Sequence, residues 1–272
     1  MNTDILSAHI IADLLDKNCV VQVLDTVDST NTYAKALGEV KVPTLIIANE
    51  QTNGRGRLGR SFYSPSSKGI YMTIAFEPDF GIDKAMLITS LTAVAVCKSF
   101  EETIGIGPKI KWVNDIYLQG QKVCGILTEA ESNFETGTIS KIIVGIGINC
   151  FEQEFPEEIK DKATYIKNPQ KEFDRNQLIA TVVNKFFELV DNFDKTKLLR
   201  DYKSRSMILG QPILIYGTNQ SALPENGGRG IKARAIDIDE NGGLVVEYLE
   251  GVMSRQMETI TSGEVTIRQD YY

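Results

Sequence analysis

An α+β fold, with a helix-bearing sheet domain over residues 1–206 and a small β-barrel over 207–272, is what three features of the chain predict. Strand-like and helix-like patterns alternate from the start to about residue 104. Short apolar runs separated by turn residues then fill 110–148, the signature of an antiparallel meander. From Gly210 onward the helical period disappears and short strands alternate with glycine-rich turns.

The elements follow in order. Residues 19–24 (CVVQVL), 44–48 (TLIIA) and 70–76 (IYMTIAF) are β-branched and aromatic runs bounded by turn residues and read as strands. Ser29 to Leu37, opened by Asp28, Ser29 and Thr30 as capping residues, reads as a short helix. Between Ile82 and Ile104 apolar residues lie on nearly every side, which suits one buried helix stopped by Gly105 to Pro108. Ile110 to Val113, Ile116 to Leu118, Val123 to Thr128 and Ile139 to Ile148 are the meander strands. Ile179, Val182, Val183, Phe186 and Val190 keep a helical period, so 174–193 is an amphipathic helix. The barrel strands are Ile213 to Tyr216, Ile231 to Ile238, Gly243 to Tyr248 and Val265 to Arg268, with Asn-Gly-Gly turns at 226–228 and 241–243.

Composition narrows the function. With 42% hydrophobic and 24% charged residues the chain is an ordinary globular one, and its net charge of −7 offers no field to hold a nucleic acid backbone. The four cysteines lie far apart in apolar stretches, as reduced core thiols do. With His9 the sole histidine there is little from which to build a zinc site, and no redox cofactor is indicated; metal chemistry would be magnesium on phosphates. No apolar stretch reaches membrane-spanning length, and Asp4, His9 and Asp13 interrupt the first residues, so a cytoplasmic protein without membrane partners is expected.

Gly54-Arg55-Gly56-Arg57-Leu58-Gly59-Arg60 matches the spacing of a dinucleotide fingerprint. That fold needs a helix after the third glycine, and Ser61 to Gly69 with Pro65 inside it cannot supply one. Without a helix dipole the positive charge must come from Arg55, Arg57 and Arg60, planar forks suited to phosphate or carboxylate oxygens. Three glycines and three mutually repelling arginines make 52–68 a candidate lid that orders around an anion.

Read outward, Glu50 to Arg60 resembles the biotin-binding loop of the biotin protein ligase family. Asp28-Ser29-Thr30-Asn31 resembles the family's D-S-T-N motif. Lys111-Trp112-Val113-Asn114-Asp115 resembles K-W-P-N-D, with Val113 in place of the proline. Lys122 to Leu127 resembles K-x-x-G-I-L, and Gly145-Ile146-Gly147-Ile148-Asn149 resembles G-x-G-x-N. Five motifs in the family's order cover about residues 25 to 150. The resemblance implies a mixed-sheet catalytic domain related to class II aminoacyl-tRNA synthetases, followed by a barrel of the Src-homology-3 kind. It also implies ATP-dependent formation of biotinyl-5′-AMP and transfer of biotin to a lysine of a biotin carboxyl carrier protein or domain.

The residue chemistry agrees. Biotin's ureido ring donates and accepts hydrogen bonds, so Ser29, Thr30, Asn31 and Gln51 are fitting partners, although Ser29 serves equally as a helix cap. Gly54, Gly56 and Gly125 let the backbone come close to biotin. Joining a carboxylate to ATP brings two anions together, and Arg55, Arg57, Lys111 and Lys122 can cancel their repulsion and stabilise the transition state. By resemblance Lys122 also polarises the carbonyl of the adenylate; otherwise it is a hairpin-turn surface residue. Asn114 and Asp115 either hold magnesium, with Asp115 the ligand, and order the phosphates, or only make the turn before Ile116. Trp112 is either core or ligand contact. Gly145 and Gly147 either admit a ligand to the backbone or form a bulge, and Asn149 can bond a purine or ribose. Phe62 stands where the family often has tryptophan as the adenine-stacking surface. Arg60 and Arg268 reach toward the ATP phosphates by resemblance, Arg268 being alternatively an exposed strand end.

Some family members carry an N-terminal winged-helix domain and also repress transcription. About 18 residues precede the first strand, too few for such a domain, so a form without DNA binding is expected. Some relatives pair through the catalytic-domain sheet, which leaves a homodimer open. The competing readings are a lipoate ligase, whose substrate lacks a ureido group, and a biotin or nucleotide sensor without turnover.

Overall fold

The computed structural model describes residues 4–133, 138–167, 169–216, 230–251 and 253–267. Seven strands, β1 (Val20–Val27), β2 (Thr44–Gln51), β3 (Gly69–Phe76), β4 (Lys109–Lys111), β5 (Asp115–Leu118), β6 (Gln121–Ser132) and β7 (Ile139–Asn149), form one sheet in the order β1-β2-β3-β7-β6-β5-β4. β1 and β2 pair in parallel and the other neighbours antiparallel, so the sheet is mixed and the meander over 109–149 is present as expected. Every residue of β3 is buried, as its run, apolar but for Thr73, requires of a central strand covered on both faces. Between β5 and β6, Gln119 and Gly120 both have positive φ (50° and 83°), the geometry of a two-residue hairpin turn whose twist matches the strands.

The period of two assigns each face of the central strands. Met72, Ile74, Val144, Ile146 and Ile148 point into the large core, which they share with α4 (Ile88–Thr103) and α5 (Arg175–Asp191). On the opposite face Ala34 of α2 (Thr30–Ala36) packs with Ile46, Ala75 and Ile143. The single helix expected over 82–104 is two: α3 (Ile82–Met86) and α4, separated at Leu87 (φ −92°, ψ −2°) in the bridge region. Ile82 and Met86 are exposed whereas Leu87 onward is buried, so the break lets the chain turn from the surface into the core.

Two helices and a strand escaped the sequence reading. α1 (Ala8–Asp13) is a short helix capped by Ser7, and α6 (Lys195–Arg205) is polar except for Leu198, Leu199 and Tyr202, with Asp194 accepting from Lys197 N. β11 (Met257–Ile260) joins β8 (Pro212–Tyr216), β9 (Ile231–Ile238), β10 (Leu244–Tyr248) and β12 (Glu264–Ile267) in a C-terminal antiparallel sheet, ordered β11-β10-β9-β8-β12. The expected turn at 226–228 lies outside the described residues. That at 241–243 is present, with Asp239 Oδ1 accepting from Asn241 N and Gly243 N and Gly242 at φ 85°. The two sheets share one core, and Trp112 Nε1 donates to Gly242 O across the seam at 2.9 Å. No helix among the described residues is long and apolar enough to cross a membrane.

Arg175, at the first turn of α5, is almost fully buried and donates through Nε to Asp4 Oδ1 (2.6 Å), through one NH2 group to Gly69 O (3.0 Å) and through the other to Asp4 O (2.8 Å). Removing one partner leaves an uncompensated buried charge. Asp4→Ala should therefore lower unfolding stability by about 3 to 5 kcal/mol. Urea denaturation measures it, and a loss under about 1 kcal/mol would show that water replaces the carboxylate.

Candidate functional site

A cleft of about 1120 Å³ opens between the α2 side of the central sheet, the glycine-rich segment, a strap over 155–163 and the edge of β12. Register builds its floor. Gly147 of β7 lies between Gly125 of β6 and Tyr71 of β3, and Gly145 lies between Leu127 and Thr73. A Cβ at Gly145 would stand 2.1 Å from Asn31 Oδ1, and one at Gly147 would stand 2.5 Å from the Phe62 ring, which also reaches Gly125. The glycines therefore make room first for the protein's own Asn31 and Phe62, not for a ligand against bare backbone and not for a bulge, since β7 runs in unbroken register with β3.

At one end the polar groups are tightly arranged. Thr30 N and Oγ1 both donate to Gln51 Oε1 (2.9 and 3.1 Å), while Gln51 Nε2 donates to Ser64 Oγ (2.9 Å). Asn31 Nδ2 donates to Leu127 O (3.3 Å) and Glu129 Oε2 (3.0 Å), and its Oδ1 accepts from Thr73 Oγ1 (2.7 Å). Ser29 occupies the N-cap position of α2 but its side chain makes no capping bond, so its buried hydroxyl belongs to the cleft rather than to the helix end.

The glycine-rich segment is a small hairpin, bridged at Gln51↔Ser64 and Arg55↔Ser61 and closed by Gly56 N to Arg60 O (2.7 Å). After Gly56 it makes one 3-10 turn with Leu58 at φ 55°, and no helix begins there, as Pro65 requires. Each arginine has a protein partner. Arg55 donates both NH2 groups to Glu129 (3.1 Å each), Arg57 donates to Asn114 Oδ1 (3.1 Å), and Arg60 pairs with Glu264 of β12. The expected repulsion among unpaired cations is thus corrected: three tethers to three elements neutralise or occupy them. Burial lowers the pKa of Arg57, with Asp115 opposing, and lowers that of Lys111 against the pull of Asp115 and Glu264. The hydrogen bond from Arg60 raises its own pKa and lowers that of Glu264.

Lys122 is not a turn residue. It lies in β6, its N donating to Lys162 O and its O accepting from Thr164 N (2.8 Å each), so the strap continues the sheet beside it. Its Nζ pairs with Asp115 Oδ1, a buried oxygen, at 2.7 Å. Asn114 accepts from Arg57 and donates to Ile126 O (2.9 Å), while Asp115 carries the ion pair with Lys122. Asn149 donates to Thr164 O (3.0 Å) while its buried Oδ1 has no partner. Trp112 is buried and spends its N–H on Gly242, so it holds the seam. Gly54 does not line the cleft; its neighbours, Phe62 O above all, leave no room for a side chain, and it shapes the hairpin base. Arg268 lies outside the described residues. Glu129, Glu264, Phe155, Ile159 and Lys162 were missed, because isolated glutamates, a lysine and apolar residues in a loop carry no spacing signal.

A cationic cleft with a polar end and a glycine floor is what an acyl-activating ligase needs, and residues 23–149 match the biotin/lipoate A/B protein ligase family. Residues 223–268 match the biotin protein ligase C terminal domain. The bifunctional ligase/repressor BirA of Bacillus spizizenii is 34% identical over 93% of this chain and 73% of its own length. The biotin--[acetyl-CoA-carboxylase] ligase of Mycobacterium tuberculosis is 26% identical over 75% of this chain and 73% of its own. The biotin protein ligase of Aquifex aeolicus in complex with biotin and ATP superposes with a TM-score of 0.73 at 30% identity, covering 92% of this chain and 98% of that one. The chain belongs to the biotin protein ligase family.

Gly145→Ala should displace Asn31 and raise the KM for biotin at least about tenfold, the size expected when a forced shift removes well-placed polar contacts. Gly38→Ala, where a Cβ meets nothing within 4 Å, is the control. Equal KM values for the two variants would show that Asn31 has nothing to do with the substrate.

Proposed function

We propose that this chain uses ATP to activate the biotin carboxylate and passes the biotinyl group to a lysine of a biotin carboxyl carrier protein. The observation that carries this reading is the joining of a dense polar end, Ser29, Thr30, Asn31 and Gln51, to a cleft lined with Arg55, Arg57, Lys111 and Lys122. The ureido ring exchanges hydrogen bonds at the polar end, and Gly125 of the floor and Gly56 of the hairpin above it leave room for the ring and its chain. The carboxylate oxygen attacks the α-phosphorus of ATP, the bond to the β-phosphate oxygen breaks, and pyrophosphate leaves. Arg57, Lys111 and Lys122 offset the negative charge gathered at that point, with Arg60 toward the phosphates. In the second step the acceptor lysine's neutral amine attacks the carbonyl carbon, which Lys122 polarises, and AMP leaves as the amide forms.

Asn149 Oδ1, buried and without a donor, fits an amino group of the adenine, and the Phe62 ring offers it a face. Magnesium would be held by the Asp115 carboxylate, which lines the cleft, in place of or beside the Lys122 ammonium that pairs with its Oδ1 at 2.7 Å. Such an ion would screen phosphate charge. Residues 207–272 form the second unit in this reading, a barrel of the Src-homology-3 kind beside a catalytic domain related to class II aminoacyl-tRNA synthetases, and its Glu264 enters the site through Arg60.

A lipoate ligase would leave the polar end unpaired by its alkyl dithiolane, and a sensor would not need four cations at the carboxyl end. Pyrophosphate release with biotin, with lipoate and with neither separates the three. Release with biotin alone supports the reading, and release with lipoate alone, or with none, overturns it.

Lys122→Ala should lower biotinyl transfer about 100-fold or more with the fold intact, the usual effect of removing one charge-stabilising group. Near-normal turnover would remove Lys122 from the chemistry. Lys111 must be protonated to hold anions, and burial places its pKa below the ordinary lysine value. Pyrophosphate release should therefore fall as pH rises through that lowered pKa, and Lys111→Arg should move the falling limb to higher pH. An unmoved limb would assign the titration to another group.

A further inference from the structure

Glu129 of β6 lies outside the cleft wall yet touches both of its working ends. Its Oε2 accepts from Asn31 Nδ2 (3.0 Å) and from one NH2 group of Arg55 (3.1 Å); its Oε1 accepts from the other NH2 group of Arg55 (3.1 Å) and from Lys35 Nζ (2.7 Å). One carboxylate thus receives the amide of the polar end, the fork of the glycine-rich hairpin and a lysine of α2. Lys35 and Asn31 hold its pKa down, with Arg55 adding to them, against a burial effect that would raise it. Facing it from α2 are Asn31 and Lys35, and from the hairpin Arg55; along β6 the nearest charged residue on its strand is Glu131, which is paired with Lys141 of β7. Arg57 and Arg60 tether the hairpin elsewhere, to Asn114 and Glu264, so the Arg55 tether alone joins it to the group that also orients Asn31.

We propose that Glu129 is a positioning residue that couples the polar end of the cleft to the glycine-rich hairpin: where Arg55 sits on Glu129, the hairpin lies over the site and the Asn31 amide is turned with its N–H toward β6 and its oxygen toward Thr73. A bidentate fork on a carboxylate fixes direction as well as distance, which a lysine or a single hydrogen bond would not. Glu129 need not touch substrate. It acts through Asn31 and Arg55, so its loss loosens the grip on biotin rather than slowing the bond-making step. The inference rests on the biotin ligase reading and names a residue that reading does not use.

The test is a double-mutant cycle with Glu129→Ala, Arg55→Ala and both, read by steady-state kinetics for biotin and for ATP and by hydrogen exchange at Gly54 to Gly59. Glu129→Ala should raise the KM for biotin about tenfold, leave kcat within about twofold and speed exchange in the hairpin; Arg55→Ala should raise KM at least as much and lower kcat as well, since Arg55 also lines the cleft, and the double should be no worse than Arg55→Ala, because the two residues act as one unit. Effects that multiply to about a hundredfold in the double, or an unchanged KM for biotin in Glu129→Ala, would overturn the proposal. So would a fall in melting temperature with KM unmoved, the mark of a structural residue only. Glu129→Gln, which keeps an acceptor for Asn31 but no charge for Arg55, should give a smaller rise in KM with the same faster exchange, and it carries the test if the alanine variant does not fold. If wild type shows no biotin-dependent pyrophosphate release, the functional reading fails; the exchange comparison still reports whether Glu129 and Arg55 act together.

Discussion

The close approach of Asn31 and Phe62 to the backbone of β7 is the contact on which the rest of the site depends. Any side chain at Gly145 or Gly147 would collide with one of them, so these two positions decide where α2 and the glycine-rich hairpin come to rest on the sheet. Register does the remaining work. Because residues two apart share a face, Gly125, Gly145, Gly147, Thr73 and Leu127 all look the same way, toward the cleft, while Ile126, Ile146 and Ile148 beside them join the core. A one-residue slip would bury the polar network and expose the apolar side.

Above that floor the difficulty is electrostatic. Two unit charges about 4 Å apart interact by about 4 kcal/mol at an effective dielectric near 20, so a group of cations in a half-buried cleft is costly unless each has a counter-charge or dipole nearby. Glu129, Asn114, Glu264 and Asp115 supply these for Arg55, Arg57, Arg60 and Lys122. The same contacts hold the hairpin to β6, to the turn before β5 and to β12, so charge compensation and loop placement are one arrangement. Lys111 and Arg57, whose pKa values burial lowers, are the cations with most to gain from an anionic substrate.

Much of this was legible in the sequence because it is written in spacing. The meander strands, the α5 pattern from Ile179 to Val190 and the absence of a helix after Gly59 all follow from period or from proline, and the observed elements agree. The five motifs between residues 28 and 149 converge on one cleft, with only Gly54 set back from it among the described residues named in advance. What could not be read was pairing across distance. Nothing local distinguishes Glu129 from Glu131, although Glu129 accepts from Asn31 and Arg55 and Glu131 binds Lys141. Nothing near Arg60 points to Glu264, 204 positions away. Nor did polarity mark α6 as a helix, since only three of its residues are buried and its cap, Asp194, is visible mainly in hindsight. The break at Leu87 is likewise a choice between exposure and burial that a continuous apolar pattern does not record.

In the proposed function this cleft makes the mixed anhydride of biotin and AMP, with the ureido ring at the α2 end and the adenine near Asn149 and Phe62. A crystal structure of the protein grown with biotin, ATP and magnesium tests it directly. Continuous density for biotinyl-5′-AMP is expected, its ring against Thr30, Asn31 and Gln51 and its phosphate among Arg57, Lys111 and Lys122. Unreacted biotin and ATP in separate places, or biotin bound with its ring away from α2, would contradict it.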